Sequence, residues 1–201
     1  EEGRSGAHWD DAVPEGVHGT ASAVTAAERR ARFGQSPTTV LLVGPTGSGK
    51  STILAALERR LFEAGRAVAV LDGQSLRTGL SRDLGFSAAD RSENLRRGAE
   101  IARLFNDAGL VCLAGFVAPE EAVRQKAAER IGADRCLVVH LACPIDVCRE
   151  RDSEGLYARA DSGELPGFPG VSAPWEAPEK ADLVLPTDQW PVGKCVDAVM
   201  K

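Results

Sequence analysis

Thr39-Val-Leu-Leu-Val-Gly-Pro-Thr-Gly-Ser-Gly-Lys-Ser-Thr52 decides the fold of this chain. An apolar run, Thr39 to Val43, feeds directly into Gly44-x-x-x-x-Gly49-Lys50-Ser51, and Ile53-Leu-Ala-Ala-Leu57 with Leu61 follows at helical spacing. Strand, glycine loop and helix in that order are the context in which this pattern binds polyphosphate. The residue types have a physical reason. Backbone N–H groups must wrap around phosphate oxygens, and Gly44, Gly47 and Gly49 permit the angles and close approach that a Cβ would block. The helix starting near Lys50 points its positive end at the same anion. Lys50 can reach the β- and γ-phosphates and stabilise charge during transfer, a catalytic role, while the Ser51 hydroxyl is placed to ligate Mg2+. Gly44, Pro45, Thr46, Gly47, Ser48, Gly49, Lys50, Ser51 and Thr52 together are expected to hold ATP with Mg2+.

Further short apolar runs are Ala67-Val-Ala-Val-Leu71, Leu110-Val-Cys-Leu-Ala114, Arg135-Cys-Leu-Val-Val-His-Leu141 and the weaker Leu183-Val-Leu185. Helical stretches at about 92–108, 119–131 and 145–151 lie between them. Strands alternating with helices imply an α/β, three-layer P-loop fold, with a central five-stranded parallel sheet and right-handed crossovers. Thr25-Ala-Ala-Glu28 is a capping box that opens a short packing helix ending near Gly34. Asp72 closes the second strand at the carboxyl edge, where open α/β sheets bind ligands. There it either holds Mg2+ through water, as a second catalytic group, or caps a helix or turn. From Arg151 to Pro178 the chain is rich in Gly, Pro, Ser and charge, and an irregular segment of that length reads as a mobile lid.

At 201 residues, 43% apolar and 26% charged, the chain suits one domain over 23–201, preceded by a flexible arm over 1–22. Trp9 is the arm's large anchor, and the arm is either disordered or docked on a neighbour. A net charge of −5 gives no footprint for nucleic acid or an anionic membrane surface. No apolar run approaches the roughly 18 residues of a spanning helix. The start, Glu1 to Asp11, is acidic rather than signal-like, so the cytoplasm is the expected compartment. The first residue is Glu and not Met, which suits a piece of a longer polypeptide. Cys112, Cys136, Cys143, Cys148 and Cys195 form no CxxC pair and are expected to be reduced, with Cys112 and Cys136 as small buried hydrophobes. His8, His18 and His140 are scattered, with His140 at a strand end, so no metal cluster is expected.

Beyond the loop, over about 24–190, the chain resembles the adenylylsulfate kinases. The carriers are Leu71-Asp-Gly-Gln-Ser-Leu-Arg-Thr-Gly-Leu80, Asp83-Leu-Gly-Phe-Ser87, Asp90-Arg-Ser-Glu-Asn-Leu-Arg-Arg97 and Ala108-Gly-Leu110, followed by Arg151-Asp152, Gly155-Leu-Tyr157, Gly163-Glu164 and Glu176-Ala-Pro178. The resemblance implies ATP- and Mg2+-dependent phosphorylation of the 3′-hydroxyl of adenosine 5′-phosphosulfate. It implies that Arg77, Arg91 and Asn94 contact the phosphosulfate or ribose, and that Phe86 and Phe168 clamp the adenine. Gln74, Val117, Ala118 and Gly167 complete the expected acceptor site. A planar guanidinium fork suits phosphate and sulfate oxygens, and two aromatic faces suit a purine. The arginines also read as solvated surface charges and the phenylalanines as ordinary core. A homodimer is the family's expected assembly, and a fused or associated ATP sulfurylase is a further expected partner.

The departures from the family pattern cluster on the acceptor side. Gln74 stands where the family carries a second aspartate, which removes a carboxylate near the attacking hydroxyl. Ala118 replaces a serine, and Glu154, Asp161 and Pro166 stand where basic residues are usual. Each cation-to-carboxylate exchange replaces attraction by repulsion for an anionic acceptor. Two other readings therefore stand beside adenylylsulfate kinase: a P-loop kinase for a different hydroxyl acceptor, and a catalytically weak nucleotide-binding module that regulates a partner enzyme.

Overall fold

The computed structural model describes Trp9 and residues 15–201. The rest of the expected arm lies outside the described residues. Helix α1, Ala26–Phe33, begins at the predicted capping box, with Thr25 accepting from the Glu28 amide and Glu28 reaching back, and Gly34 ends it in the left-handed region. β1 (Thr39–Val43), β2 (Val68–Asp72), β3 (Val111–Phe116), β4 (Cys136–Ala142) and β5 (Leu183–Pro186) form one sheet in the order β2-β3-β1-β4-β5. Every pairing is parallel.

All five residues of β1 are buried, as befits a central strand covered on both faces. Its side chains alternate. Leu41 and Val43 join a core with α4 (Ala88–Asp107) and α5 (Glu121–Ile131), whereas Val40 and Leu42 face α2 (Lys50–Glu63) and α8 (Val192–Val199). The register brings the carboxyl ends of the strands together: Val43 lies opposite Phe116 and His140, and Asp72 opposite Gly115. One sheet edge therefore carries the glycine loop after β1, the turn after Asp72 and the loop after β3, flanking the point where connections run to opposite sides of β1.

Packing at that edge depends on two small residues. A Cβ on Gly98 of α4 would sit 2.4 Å from the Phe116 ring, and one on Gly73 2.9 Å from it. Phe116 fills the space that these absent side chains leave. Cys112 is buried and Cys136 half-buried, and His140 lies within β4, 5.4 Å from the Trp175 ring.

Three helices appear where no helix was expected. α3, Gly73–Arg77, is a single turn, and α8 carries Val192, Cys195, Val196 and Val199 at helical spacing, a signal present in the sequence. The third corrects the irregular reading of 151–178: α7, Leu156–Asp161, follows α6, Ile145–Glu150, and Tyr157, Ala160 and Phe168 are buried with Cys143 and Cys148 in a core of their own. The expected arm also has a contact within this chain, since Trp9 Nε1 donates to Ser92 Oγ of α4 at 3.0 Å.

Candidate active site

The expected site residues converge on one cavity of about 1410 Å³ at the carboxyl edge of the sheet. Thr46 to Thr52, Asp72, Gln74, Arg77, Phe86, Arg91, Asn94, Val117, Ala118, Gly167 and Phe168 all line it. Gly44 and Pro45 do not; both are buried beneath the loop, where their carbonyls accept hydrogen bonds from Lys50 Nζ at 2.8 and 2.7 Å.

The donor half is the loop itself. Gly47 has φ +81°, and a Cβ there would meet the Cys148 carbonyl oxygen at 2.5 Å, so conformation and space both demand glycine. Gly49, in the left-handed region, precedes α2 and offers no side-chain cap, which leaves first-turn amides of the helix for an anion. Burial pushes Lys50 down to about 8, against the opposing pull of nearby Cys148, Asp72 and Cys143. An anion in the cradle would favour the charged form and draw the value back up. Asp72 caps α3, its Oδ2 accepting from the Ser75 amide at 3.2 Å and the Ser75 hydroxyl at 3.1 Å. The cap and a role toward metal are compatible, because a carboxylate has further lone pairs on Oδ1.

The acceptor half is less complete. Arg77 and Arg91 both lie over the Phe86 ring, at 4.8 and 5.6 Å from its centroid, and Phe86 is 54% exposed. Burial lowers the pKa of Arg77, with Asp90 opposing; burial and then the like charge of Arg77 push Arg91 down to about 10. Two guanidinium groups crowded together in this way would gain from an anion beside them. Arg77 Nη1 and Asn94 Oδ1 are buried and lack hydrogen-bond partners among the described residues. Asn94 Nδ2 donates to the Gly73 carbonyl at 3.0 Å, which fixes the amide so that Oδ1 is the free acceptor. The pair calls for a ligand that both accepts and donates.

Ala118 has φ +40°, a backbone conformation costly for any residue with a Cβ. Its surroundings enforce it. Arg124, 2% exposed, donates to the Ala118 carbonyl at 2.6 Å while paired with Glu121, and Trp175 Nε1 donates to the Val117 carbonyl at 3.0 Å. Glu176 Oε2 accepts from the Glu121 amide at 2.7 Å, so the end of the 151–178 segment is stitched to the loop after β3.

Of the charge departures, Asp161 does not line the cavity; it forms a bidentate pair with Arg149 at 2.6 and 3.1 Å. Its repulsion for an acceptor is thereby largely neutralised, a correction to the expectation above. Glu154 and Pro166 do line the cavity. Phe168 is buried at 6% exposure, edge-on to Tyr157 with centroids 5.1 Å apart, so it serves the local core as well as the cavity wall. Arg151, quoted above only as part of a motif with no site role, lines the cavity, as do Thr187 and Trp190, which no motif pointed to.

The adenylylsulphate kinase family model matches residues 36–186. The chain belongs to the adenylylsulphate kinase family. It is similar to an adenylyl-sulfate kinase of Shewanella baltica, with 44% identity over 177 residues, 88% of this chain and 86% of that protein. It is also similar to a bifunctional enzyme CysN/CysC of Rhodopirellula baltica, 56% identical over 203 residues; that match takes in 99% of this chain and spans 31% of the relative's length. The structure of the Mycobacterium tuberculosis APS kinase CysC in complex with AMPPNP and APS superposes with a TM-score of 0.77 at 38% identity, covering 82% of this chain and 96% of that one. The five-stranded parallel sheet flanked by helices is thus the P-loop fold of the adenylylsulphate kinases.

Proposed function

We propose that the chain transfers the γ-phosphoryl group of ATP to the 3′-hydroxyl of adenosine 5′-phosphosulfate, giving 3′-phosphoadenosine 5′-phosphosulfate. One observation carries this reading: a single cavity joins the phosphate loop to a corner where a buried arginine nitrogen and a buried asparagine oxygen lack partners. Arg77 and Arg91 bind the phosphosulfate, Asn94 accepts from a ribose hydroxyl, and Phe86 with Phe168 borders the adenine. Gln74, Val117, Ala118 and Gly167 line the remainder. Lys50 leaves its loop carbonyls to follow the β- and γ-phosphates, and the amides of residues 47–52 hold the chain of phosphates in line with the acceptor.

Ser51 and Asp72 would hold Mg2+. Hydroxyl and carboxylate oxygens suit that ion, and no cluster of three His, Cys, Asp or Glu side chains placed to hold a metal occurs among the described residues, so phosphate and water oxygens would supply the other ligands. When bound, Mg2+ neutralises charge on the transferring phosphoryl group. With Gln74 in place of a carboxylate, the acceptor hydroxyl is positioned rather than deprotonated in advance, and phosphoryl transfer relies mainly on positioning and electrostatics.

In this reading residues 23–201 are the kinase domain, 1–22 an arm, and 151–178 a lid hinged at Gly155, Gly163, Gly167 and Gly170, all with positive φ. All five thiols are free, which supports a cytoplasmic setting, and no described helix is long and apolar enough to cross a membrane. The bifunctional relative supports a fused or associated ATP sulfurylase, and a homodimer is the proposed assembly. The decisive experiment supplies ATP, Mg2+ and adenylylsulfate and measures the 3′-phosphorylated product; no turnover above the enzyme-free control rejects the proposal. A second reading, a kinase for a less anionic alcohol, is favoured by Gln74 and Glu154 at the cavity wall. A thermal-shift panel of nucleosides and alcohols with ADP present separates the two.

A further inference from the structure

Two carbonyls of the phosphate loop are claimed by side chains far away in sequence. Tyr157 OH donates to the Thr46 carbonyl at 2.8 Å, and Thr187 Oγ1 donates to the Ser48 carbonyl at 2.9 Å. In a trans peptide the C=O and the following N–H point in opposite directions. Holding the Thr46 carbonyl therefore aims the Gly47 amide away from Tyr157, and holding the Ser48 carbonyl aims the Gly49 amide away from Thr187. Tyr157 is buried in the core beside α6 and α7, and is absent from the cavity wall. Thr46 and Gly47 line the cavity, so an amide aimed away from Tyr157 is turned to the cavity side; Thr187 lines the cavity beside Ser48 and Gly49, and there the hydrogen bond fixes the plane of the peptide.

Both donors are themselves held. The Tyr157 ring lies edge-on to Phe168 and beneath the Arg149 guanidinium at 5.1 Å, and Arg149 is fixed by Asp161. The Tyr157 amide donates to Asp152 Oδ2 at 2.8 Å. Thr187 donates its amide to the Ala142 carbonyl at 3.3 Å and accepts from Arg151 Nη2 on its own carbonyl at 3.0 Å. Glycine peptides are the ones most free to flip, so Gly47 and Gly49 gain most from an external brace.

We propose that Tyr157 and Thr187 are positioning residues that set the Thr46–Gly47 and Ser48–Gly49 peptide planes and so aim the Gly47 and Gly49 amides at the nucleotide's phosphates. This rests on the reading that the loop holds ATP. The braces place the cost of ordering the loop in the fold instead of in the binding step. They also tie the loop to the segment after Arg151, through α7 on one side and through Arg151 and Thr187 on the other.

The test is calorimetry on the full chain with Mg2+, using ADP, inorganic tripolyphosphate and adenylylsulfate as separate probes. Tyr157→Phe and Thr187→Val each remove one hydroxyl while keeping the side chain's shape. Each is expected to raise the Kd for ADP and for tripolyphosphate by about 3- to 12-fold, the effect of one net hydrogen bond. The double variant multiplies the two losses, Thr187→Ser restores affinity to within about twofold, and adenylylsulfate affinity stays within about twofold throughout. If the wild type binds ADP and both variants bind it equally well, the braces do nothing and the inference falls. It also falls if ADP and adenylylsulfate affinities drop together with the melting temperature, because that is general loosening. Absence of ADP binding by the wild type overturns the nucleotide reading itself. The two substitutions lie in different elements, so a folding failure of one leaves the other to decide.

Discussion

The two halves of the cavity differ in how they meet their hydrogen-bonding needs. On the donor side the side chains and loop carbonyls are satisfied within the protein, and only backbone amides at the start of α2 stay open: Lys50 bonds to loop carbonyls, the Thr46 and Ser48 carbonyls accept from Tyr157 and Thr187, and Asp72 caps its own helix. On the acceptor side Arg77 Nη1 and Asn94 Oδ1 are left unpartnered, and Phe86 remains half out of the fold beneath two arginines. A buried unpaired polar group costs about 1–3 kcal/mol, so the acceptor half stores instability that a matching ligand relieves. In the proposed reading the donor half is a preformed cradle whose lysine changes partners, and the acceptor half is completed by what it binds.

The sharpest break between the halves comes from Lys50→Ala. Turnover is expected to fall by about 100-fold or more, since a preorganised charge on the transferring group is lost, while adenylylsulfate affinity measured by calorimetry stays unchanged. Arg77→Ala is the mirror image. It should raise the KM for adenylylsulfate by about 10- to 100-fold, as expected for a charge-assisted hydrogen bond, and leave the KM for ATP within about twofold. Equal effects on both substrates would erase the distinction.

A pH series separates the halves without mutation. Lys50 is held at about 8 in the ligand-free protein, below its ordinary value, and the phosphates draw it back up. ADP binding therefore takes up a proton above that pH, and affinity weakens as pH rises, by about tenfold between roughly pH 7 and pH 9. Arg91 sits at about 10, so acceptor affinity should hold steady over the same interval. Calorimetry in two buffers of different ionisation enthalpy reads the proton uptake directly. The smallest effect is expected from Glu154→Gln, at the exposed cavity rim: the KM for adenylylsulfate falls by about twofold at low salt and by less at high salt.

The loop, the five strands and the residues that converge on the cavity were legible because each is a local pattern or a contiguous motif. Gly44 to Ser51 carries its geometry in its own residue types, and β1 betrays itself by four consecutive apolar residues, Val40 to Val43, before a glycine. Asp161 was misread because its sign was visible and its partner Arg149, twelve residues earlier, was not. The helix α7 escaped because six residues among glycines and charges give no usable period.

The sequence by itself determined the phosphate loop, the parallel α/β architecture and the family, since periodicity, spacing and residue type are properties of short stretches. Only the tertiary structure decided which atoms are left without partners and which distant hydroxyls brace the loop. Tyr157 and Thr187 lie 111 and 139 residues from the carbonyls they hold, and no pattern along the chain encodes a hydrogen bond made across the fold.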